Sequence, residues 1–153
     1  MKEFRGKMDA SKRQFAIIVS RWNELVTKEL LAGALAELES HGATNVMVLH
    51  VPGTWEIPPV AKKLLTGKKK VDGIVALGCI MQGQTPHAKL LGGDVGGALM
   101  SLQTEFSRPI SWGILTPDTQ DQAMDRAGLK MGNKGREAAL AAIEMADLLS
   151  QIE

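Results

Sequence analysis

Four runs of hydrophobic residues, each bounded by polar or small residues, divide the chain into regular units. The runs cover residues 15–20, 44–51, 71–77 and 110–115. Their hydrophobicity is largely continuous rather than alternating, which is typical of strands buried on both faces of a parallel sheet. We therefore predict four parallel β-strands over these ranges.

Helical periodicity fills the segments between the runs. Residues 24–40 carry one apolar stripe, formed by Leu31, Ala34, Leu35 and Leu38. Asn23 is the predicted N-cap of this helix, because asparagine side chains accept hydrogen bonds from the first backbone N–H groups of a helix. Four further helices are predicted near residues 56–66, 87–107, 120–127 and 136–149, the third of these opened by a capping box from Thr119 to Gln122.

The alternation of strands and helices determines the expected architecture. It predicts an α/β fold with three layers, in which a four-stranded parallel sheet carries helices on both faces. The length of 153 residues fits a single domain over residues 1–153. We interpret the polar and basic residues 1–13 as an N-terminal arm that either pairs with a neighbouring copy or remains mobile.

The predicted helix after residue 87 contains four glycines, Gly92, Gly93, Gly96 and Gly97. Each glycine costs about 1 kcal/mol of helix propensity relative to alanine. Gly93 and Gly97 lie one turn apart, so we expect them to allow close approach of another backbone, from a neighbouring helix or from another subunit.

Charge and cysteine content narrow the class of protein. The net charge of +1 argues against nucleic-acid binding, and the chain has no apolar run of about 18 residues that would span a membrane. Its one cysteine excludes an internal disulfide, and its three histidines lack metal-ligand spacing. With no secretory signal pattern at the N-terminus, we expect a cytoplasmic protein without a metal centre.

Candidate chemistry is concentrated after the predicted strands. In a parallel sheet the loops at the carboxyl ends of the strands converge on one edge. Here those loops hold residues 22–23, 54–56, 78–87 and 116 onward. They supply aromatic surface, one carboxylate, the imidazole of His87 and two cations, Arg126 and Lys134. This set suits a planar ring and an anion, with proton transfer near neutral pH.

Taken one at a time, three of these residues also fit structural roles. The indole of Trp22 could stack on a planar ligand or pack as a rim residue. Trp112 lies inside a predicted strand, which favours core packing. Cys79 is best explained as a small apolar residue at a strand end rather than a nucleophile, because no base stands beside it in the sequence.

The charged candidates are open to two interpretations in the same way. Glu56 could complement the dipole at a helix start. His87 could begin a helix without a chemical task, and Arg126 could form a surface ion pair. The sequence alone does not decide between these roles and a shared binding site.

Six short segments in this chain carry distinctive combinations of residues. They are SRWN (20–23), VPGTWEIP (51–58), GQTPH (83–87), PISWG (109–113), DTQDQAMDRAG (118–128) and GNKGREAA (132–139). In order and in spacing they resemble the lumazine synthase family, from near residue 15 to the C-terminus. The resemblance implies a flavodoxin-like fold and condensation of 5-amino-6-(D-ribitylamino)uracil with 3,4-dihydroxy-2-butanone 4-phosphate to 6,7-dimethyl-8-ribityllumazine, phosphate and water, without a metal or cofactor.

The resemblance also implies an assembly. The family forms pentamers, some of which build a 60-subunit icosahedral capsid, with the active sites at subunit interfaces. The loop around Gly132 carries no insertion, which resembles the capsid-forming members. Riboflavin synthase is a candidate partner, and neither nucleic acid nor membrane is expected to bind.

Positions that match the family's motifs imply individual roles. The implied substrate-binding residues are Trp22, Asn23, Thr54, Trp55, Glu56, Cys79, Ile80, Met81, Gln84, Thr85, Trp112, Arg126, Lys134 and Glu137. Trp22 would stack on the pyrimidine, residues 54–56 would hold the ribityl chain, and residues 79–81 would bind the uracil edge through backbone groups.

The remaining roles concern the phosphate and the proton. Gln84 and Thr85 would meet the phosphate at a helix start, with Arg126 as its cation. His87 would transfer protons, so His87 and Arg126 are the implied catalytic residues. Trp112 would close the site from an adjacent subunit.

Several positions depart from the family's pattern. Ala88 and Lys89 replace an aromatic and an acidic residue, Gln84 is bulky, residues 22 and 112 are tryptophan where phenylalanine is frequent, and Arg136 is unusual. One alternative is therefore a related shell or binding protein that has lost activity. Another is a flavodoxin-like signalling or nucleotide-binding module, but Ser20 and Arg21 stand where its acidic cluster would be.

Overall fold

A four-stranded parallel sheet forms the centre of the protein. The computed structural model describes residues 1–83, 85–130 and 132–152. Strands β1 (Phe15–Ser20), β2 (Val46–Val51), β3 (Gly73–Cys79) and β4 (Ile110–Leu115) lie in the order β2-β1-β3-β4. All three neighbouring pairs are parallel, so the predicted sheet is confirmed.

Five α-helices cover the sheet within this described part. They are α1 (Glu24–Ser40), α2 (Ile57–Thr66), α3 (His87–Phe106), α4 (Gln120–Arg126) and α5 (Lys134–Gln151), and a short 3-10 helix (Thr54–Glu56) leads into α2. Apolar residues of α1, α4 and α5 pack on one face of the sheet, and those of α2 and α3 pack on the other. The predicted three layers are therefore confirmed. Among these helices, none is both long and apolar enough to cross a membrane.

The central strands explain why the hydrophobic runs are continuous. Along β1, Phe15, Ile17 and Val19 belong to the core beneath α1 and α5. The alternate residues, Ala16 and Ile18, point to the other face and belong to the core beneath α2 and α3. Because both faces are covered by helices, every position of β1 must be apolar or fully hydrogen-bonded.

Three elements, β2, β3 and α5, differ from their predicted ranges by two residues at one end or both, and β2 begins at Val46 rather than at residue 44. Strand β3 begins and ends two residues later than the hydrophobic run suggests, because Gly78 and Cys79 still pair with β4. Helix α5 begins at Lys134 rather than Arg136, because the side chain of Asn133 caps it by accepting a hydrogen bond from the backbone N–H of Arg136 at 3.0 Å.

The glycines of α3 have different surroundings from one another. A Cβ atom at Gly96 would lie 3.6 Å from the indole of Trp112, which is ordinary contact. At Gly93 and Gly97, no atom of the described residues lies within 4 Å of the Cβ position. The expected close approach of a neighbouring helix within this chain is therefore wrong for Gly93 and Gly97, and their face of α3 is open.

The N-terminal arm lies against α5 of its own chain, and its pairing with a neighbouring copy stays a prediction. The Asp147 carboxylate accepts a hydrogen bond from the backbone N–H of Lys7 at 2.8 Å and pairs with the guanidinium of Arg13 at 2.7 Å. These contacts, the Lys7 N–H foremost, lower the pKa of Asp147. Ala10 is fully buried, so the arm contributes to the core as well.

Replacing Gly135 with alanine should destabilise the protein. A Cβ at Gly135 would lie 2.0 Å from the backbone oxygen of Leu30, so α1 and α5 would have to separate. Such overpacking costs about 1–3 kcal/mol, and each kcal/mol lowers the midpoint by roughly 2–4 °C at this chain length. Thermal unfolding measures the change, and Ala141→Ser on the exposed side of α5 is the control. An unchanged midpoint for Gly135→Ala would contradict this packing of the two helices.

Candidate active site

A cavity of about 650 Å³, which we call the main cavity because it holds most of the predicted site residues, opens at the carboxyl ends of β1 and β3. From β1 the chain turns to α1 and then to β2, whereas from β3 it turns to α3 and then to β4 on the opposite side. The loop after β1 and the loop after β3 therefore run in opposite directions and leave a crevice between the two strands. Open parallel sheets bind their ligands in such a crevice. The volume is that of a small-molecule site.

Most of the residues expected in a binding site line this main cavity. They are Trp22, Asn23, Thr54, Trp55, Cys79, Ile80, Met81, Thr85 and His87. Gln84 lies outside the described residues. The cavity thus combines two indoles, an amide and the last backbone groups of β3. The hydroxyl of Thr85 and the imidazole of His87 lie at the start of α3.

The indole of Trp22 is fixed at the rim by the backbone beneath it. The β1–β2 pairing continues past the strand end, with the N–H of Arg21 donating to Val51 O at 2.8 Å and the N–H of Trp22 donating to Pro52 O at 3.1 Å. The side chain nevertheless remains 73% exposed. A large flat apolar surface held open to solvent in this way suits stacking on a planar ring.

Asn23 occupies the N-cap position of α1, but its side chain makes no capping hydrogen bond, so the predicted capping role is wrong. Its backbone is left-handed, with φ 63° and ψ 46°, a conformation that asparagine tolerates better than most residues. The side-chain amide instead donates to the backbone oxygen of Cys79 at 2.7 Å. Asn23 therefore ties the loop after β1 to the end of β3, across the floor of the main cavity.

The segment after β3 is held by hydrogen bonds from its backbone. The N–H of Ile80 donates to Leu115 O at 2.8 Å, and that of Gln82 donates to Pro117 O at 2.9 Å. Thr54 packs onto the same region, since a Cβ at Gly78 would lie only 2.4 Å from its methyl group. The absence of a side chain at Gly78 lets the buried Thr54 reach the wall of the main cavity.

His87 is the first residue of α3, and its side chain is exposed at the cavity mouth. The preceding Pro86 holds the N-cap position and has no side-chain acceptor for the first N–H groups of the helix. Unpaired N–H groups at a helix start favour an anion. An imidazole and a set of backbone N–H groups suited to an anion therefore lie side by side.

Glu56 lies beside the main cavity rather than in its wall. One carboxylate oxygen is 3.1 Å from the Cβ position of Gly53, a residue that lines the cavity. Glu56 also lines an adjoining groove of about 330 Å³, which shares Trp55 and Asp94 with the main cavity. Its carboxylate is thus available to a ligand that extends past Trp55.

Four predicted residues lie elsewhere on the molecule. Trp112, Arg126 and Lys134 line a second cavity of about 510 Å³ beside the edge strand β4, which shares none of its described lining residues with the main cavity. The fourth, Glu137, lines neither cavity and pairs with Lys134 at 3.1 Å. Within this chain, the structure does not bring Arg126 and His87 into one cavity.

The environment of this second cavity corrects two single-residue interpretations. Trp112 is 44% exposed, so the predicted core packing of this residue is wrong. The indole stays uncovered because β4 is an edge strand and because the residue opposite on α3, Gly96, has no side chain. Arg126 is exposed at the end of α4, and none of the described carboxylates lies within ion-pair distance of it. Its guanidinium is therefore open to a ligand.

Sequence reasoning missed some residues of the main cavity wall, among them Ser20, Gly53, Leu91 and Asp94. Asp94 could have been found from helical spacing, because it lies seven residues, or two turns, after His87 and so faces the same side of α3. Ser20 and Gly53 fall inside two of the six distinctive segments, but nothing else in the sequence marked them as wall residues.

Cys79 has the apolar role that the sequence suggested. It is 2% exposed, and burial raises the pKa of its thiol from 9.0 to about 11. A thiol that stays protonated at neutral pH is a poor nucleophile.

This shift predicts that alkaline pH destabilises the protein through Cys79. Between pH 9 and 11 the thiol ionises in the unfolded chain but not in the folded one, so the unfolding free energy should fall as the pH rises through this window. Urea unfolding at pH 8, 9 and 10 measures the fall. The Cys79→Ala variant should have a shallower dependence; an identical slope in both proteins would contradict the buried thiol.

The fold and the main cavity define the class of protein first: a flavodoxin-like α/β protein with a cavity of small-molecule size at the β1/β3 switch point. A family model described as 6,7-dimethyl-8-ribityllumazine synthase matches residues 12–150. The chain is also 46% identical to the 6,7-dimethyl-8-ribityllumazine synthase of Protochlamydia amoebophila (strain UWE25), over 155 aligned positions that cover 99% of this chain and 89% of the relative. The chain belongs to the 6,7-dimethyl-8-ribityllumazine synthase family, the transferases of riboflavin biosynthesis.

Proposed function

We propose that this chain condenses 5-amino-6-(D-ribitylamino)uracil with 3,4-dihydroxy-2-butanone 4-phosphate, and that each active site is formed by the main cavity of one copy and the second cavity of another. The observation that carries the proposal is the complementary content of the two cavities. The main cavity holds the stacking surface and the imidazole, and the second holds the exposed cations.

The main cavity would receive the ribitylaminouracil. Its pyrimidine ring would stack on the exposed indole of Trp22, with its polar edge against the backbone of residues 79–81. The ribityl chain would extend over Thr54 and Trp55 towards Glu56, whose carboxylate accepts hydrogen bonds from hydroxyl groups. The clamp between Asn23 and the Cys79 carbonyl keeps the two walls of this cavity at a fixed separation.

The phosphorylated ketone would bind at the start of α3. Its phosphate would meet the unpaired N–H groups there, with the hydroxyl of Thr85 as a further donor. The amine of the first substrate then attacks the carbonyl of the second, and loss of water gives an imine. His87 would move protons in this step and in the elimination of phosphate. Holding two substrates in one orientation would provide much of the acceleration.

A second copy would supply what the main cavity lacks. A phosphate dianion is bound best by cations, and the main cavity is lined by none within the described residues. Arg126 and Lys134 of a second copy, brought in along the edge strand β4, would complete the phosphate site, and Trp112 would cover the heterocycle. The open face of α3 at Gly93 and Gly97 is a further surface available for subunit contact.

This arrangement implies a homo-oligomer with head-to-tail contacts, since two different surfaces meet, and such contacts form a ring when the rotation between copies closes. We propose the family's pentamer, with the icosahedral capsid as its larger assembly. We place the enzyme in the cytoplasm, a reducing compartment in which the free thiol of Cys79 is stable. Riboflavin synthase, which would consume the product, is the proposed partner.

A turnover assay combined with light scattering tests the proposal. Purified protein given both substrates should release phosphate and form the lumazine chromophore, and the active fraction should be the oligomer. If a folded oligomer binds the ribitylaminouracil but forms no product, the protein is a binding or container protein instead. Activity in a monomeric fraction would contradict the two-copy site.

A further inference from the structure

We propose that Asn133 is a positioning residue for the phosphate-binding cations: its side chain fixes the spacing of Arg126 and Lys134 in the second cavity. Arg126 ends α4 and Lys134 begins α5, and Asn133 stands between these two helices. The inference rests on the proposed function, because it assigns Asn133 a task in binding the phosphorylated substrate.

The amide of Asn133 joins three elements. Its Nδ2 donates to the backbone oxygen of Ala127, the residue after Arg126, at 3.0 Å, and also to Glu29 O on α1 at 3.0 Å. Its Oδ1 accepts from the N–H of Arg136 at 3.0 Å and so caps α5. One side chain thus connects the end of α4, the middle of α1 and the start of α5.

Only asparagine meets these requirements at this position. Aspartate could cap α5 but cannot donate, and serine caps with a short hydroxyl that carries a single hydrogen. Glutamine has the same amide on a longer chain, which is disfavoured at the N-cap. Asparagine at position 133 therefore supplies two donated hydrogen bonds as well as the helix cap.

The backbone around the amide leaves it no room to move. Ala127 and Asn133 form an isolated antiparallel bridge. Gly128 (φ +115°) and Gly132 (φ +76°) are in the left-handed region that lets the chain turn back between the helices. A Cβ at Gly33 would lie 2.5–2.6 Å from the carboxamide atoms of Asn133, so α1 accepts this side chain only because position 33 is glycine.

This geometry controls the two cations directly. Ala127, whose carbonyl is bound, immediately follows Arg126, and Lys134 immediately follows Asn133 itself. Both cations line the second cavity. If the amide bonds are lost, the end of α4 can move relative to α5, and a phosphate no longer meets both charges at once.

The test uses Asn133→Ser, which keeps a helix cap but removes both donated bonds. We expect the KM for the phosphorylated ketone to rise about tenfold, because one charge-assisted contact is misplaced. The KM for the ribitylaminouracil should stay within about twofold, since the main cavity is untouched. Asn45→Ser, an exposed asparagine before β2, is the matched control and should leave both KM values unchanged.

Gly33→Ala provides an independent variant that leaves the sequence of α5 intact. The added methyl group displaces the Asn133 amide from the α1 side, while alanine favours the helix. We expect the same selective rise in the KM for the phosphorylated ketone.

The outcomes separate the positioning role from the proposed function. Equal increases in both KM values, or no change in either, in a turning-over enzyme would overturn the role of Asn133. If the wild-type oligomer has no turnover, the proposed function fails, and calorimetry with inorganic phosphate still tests the positioning. Phosphate should then bind about tenfold more weakly to Asn133→Ser than to the wild type, and equal affinities would overturn the inference.

Discussion

Replacing Arg126 with alanine should lower kcat/KM for the phosphorylated ketone by about a hundred- to a thousandfold, which is the usual loss when one strong donor to a developing charge is removed. Arg126 is exposed in the second cavity and unpaired with any described carboxylate, so its charge is available to the phosphate. Steady-state kinetics with each substrate varied in turn measures the effect. The folded oligomer should be unaffected, because no described contact depends on the guanidinium.

Lys130→Ala is the matched control for this substitution. Lys130 is also an exposed cation of the α4–α5 connection, but it lines neither cavity, and its removal changes the net charge by the same amount. We expect kcat/KM to change by less than about threefold, as for a remote surface charge. Inhibition by inorganic phosphate should weaken in Arg126→Ala only. Equal losses of kcat/KM in both variants would mean that Arg126 acts through the overall electrostatic field of the protein rather than through direct contact with the phosphate.

The sheet was predictable because burial on both faces leaves a strong signal. Strands β1 and β4 and helix α1 have the predicted bounds, since continuous apolar runs and the stripe of α1 are direct consequences of packing. The start of α5 was not predictable from hydrophobicity, because it depends on a cap that Asn133 makes to the N–H of Arg136. The Asn133 side chain also donates a hydrogen bond to Glu29 O, 104 residues away in the sequence. The contact of the N-terminal arm with Asp147 has the same non-local origin.

The main cavity was predictable for a different reason: in a parallel sheet, the strand ends must meet at one edge whatever the details. That rule brought Trp22, Thr54 and His87 together correctly. It could not indicate that Asn23 would bridge two loops, because a left-handed backbone at that residue redirects its side chain. The same rule could not predict that Arg126 and Lys134 line a different cavity from His87. That separation depends on the strand order and on the distance between loop ends, which are properties of the tertiary structure.

Mixed oligomers provide the sharpest test of a site shared by two copies. His87→Ala damages the main cavity, and Arg126→Ala damages the second cavity, so each variant alone should lose about a hundredfold or more of its activity. In oligomers that assemble randomly from equal amounts of both, roughly one site in four would combine an intact main cavity with an intact second cavity. Activity should therefore recover to about a quarter of the wild-type value.

The control mixture distinguishes this recovery from improved folding. His87→Ala and Trp22→Ala both damage the main cavity, so no arrangement of these two variants yields an intact site, and their mixture should remain as inactive as either protein alone. Recovery in the first mixture but not in the second requires that His87 and Arg126 act from different copies. If neither mixture recovers although both exchange subunits, Arg126 must act in the same site as the His87 of its own chain. The separation of the two cavities within one chain argues against that outcome.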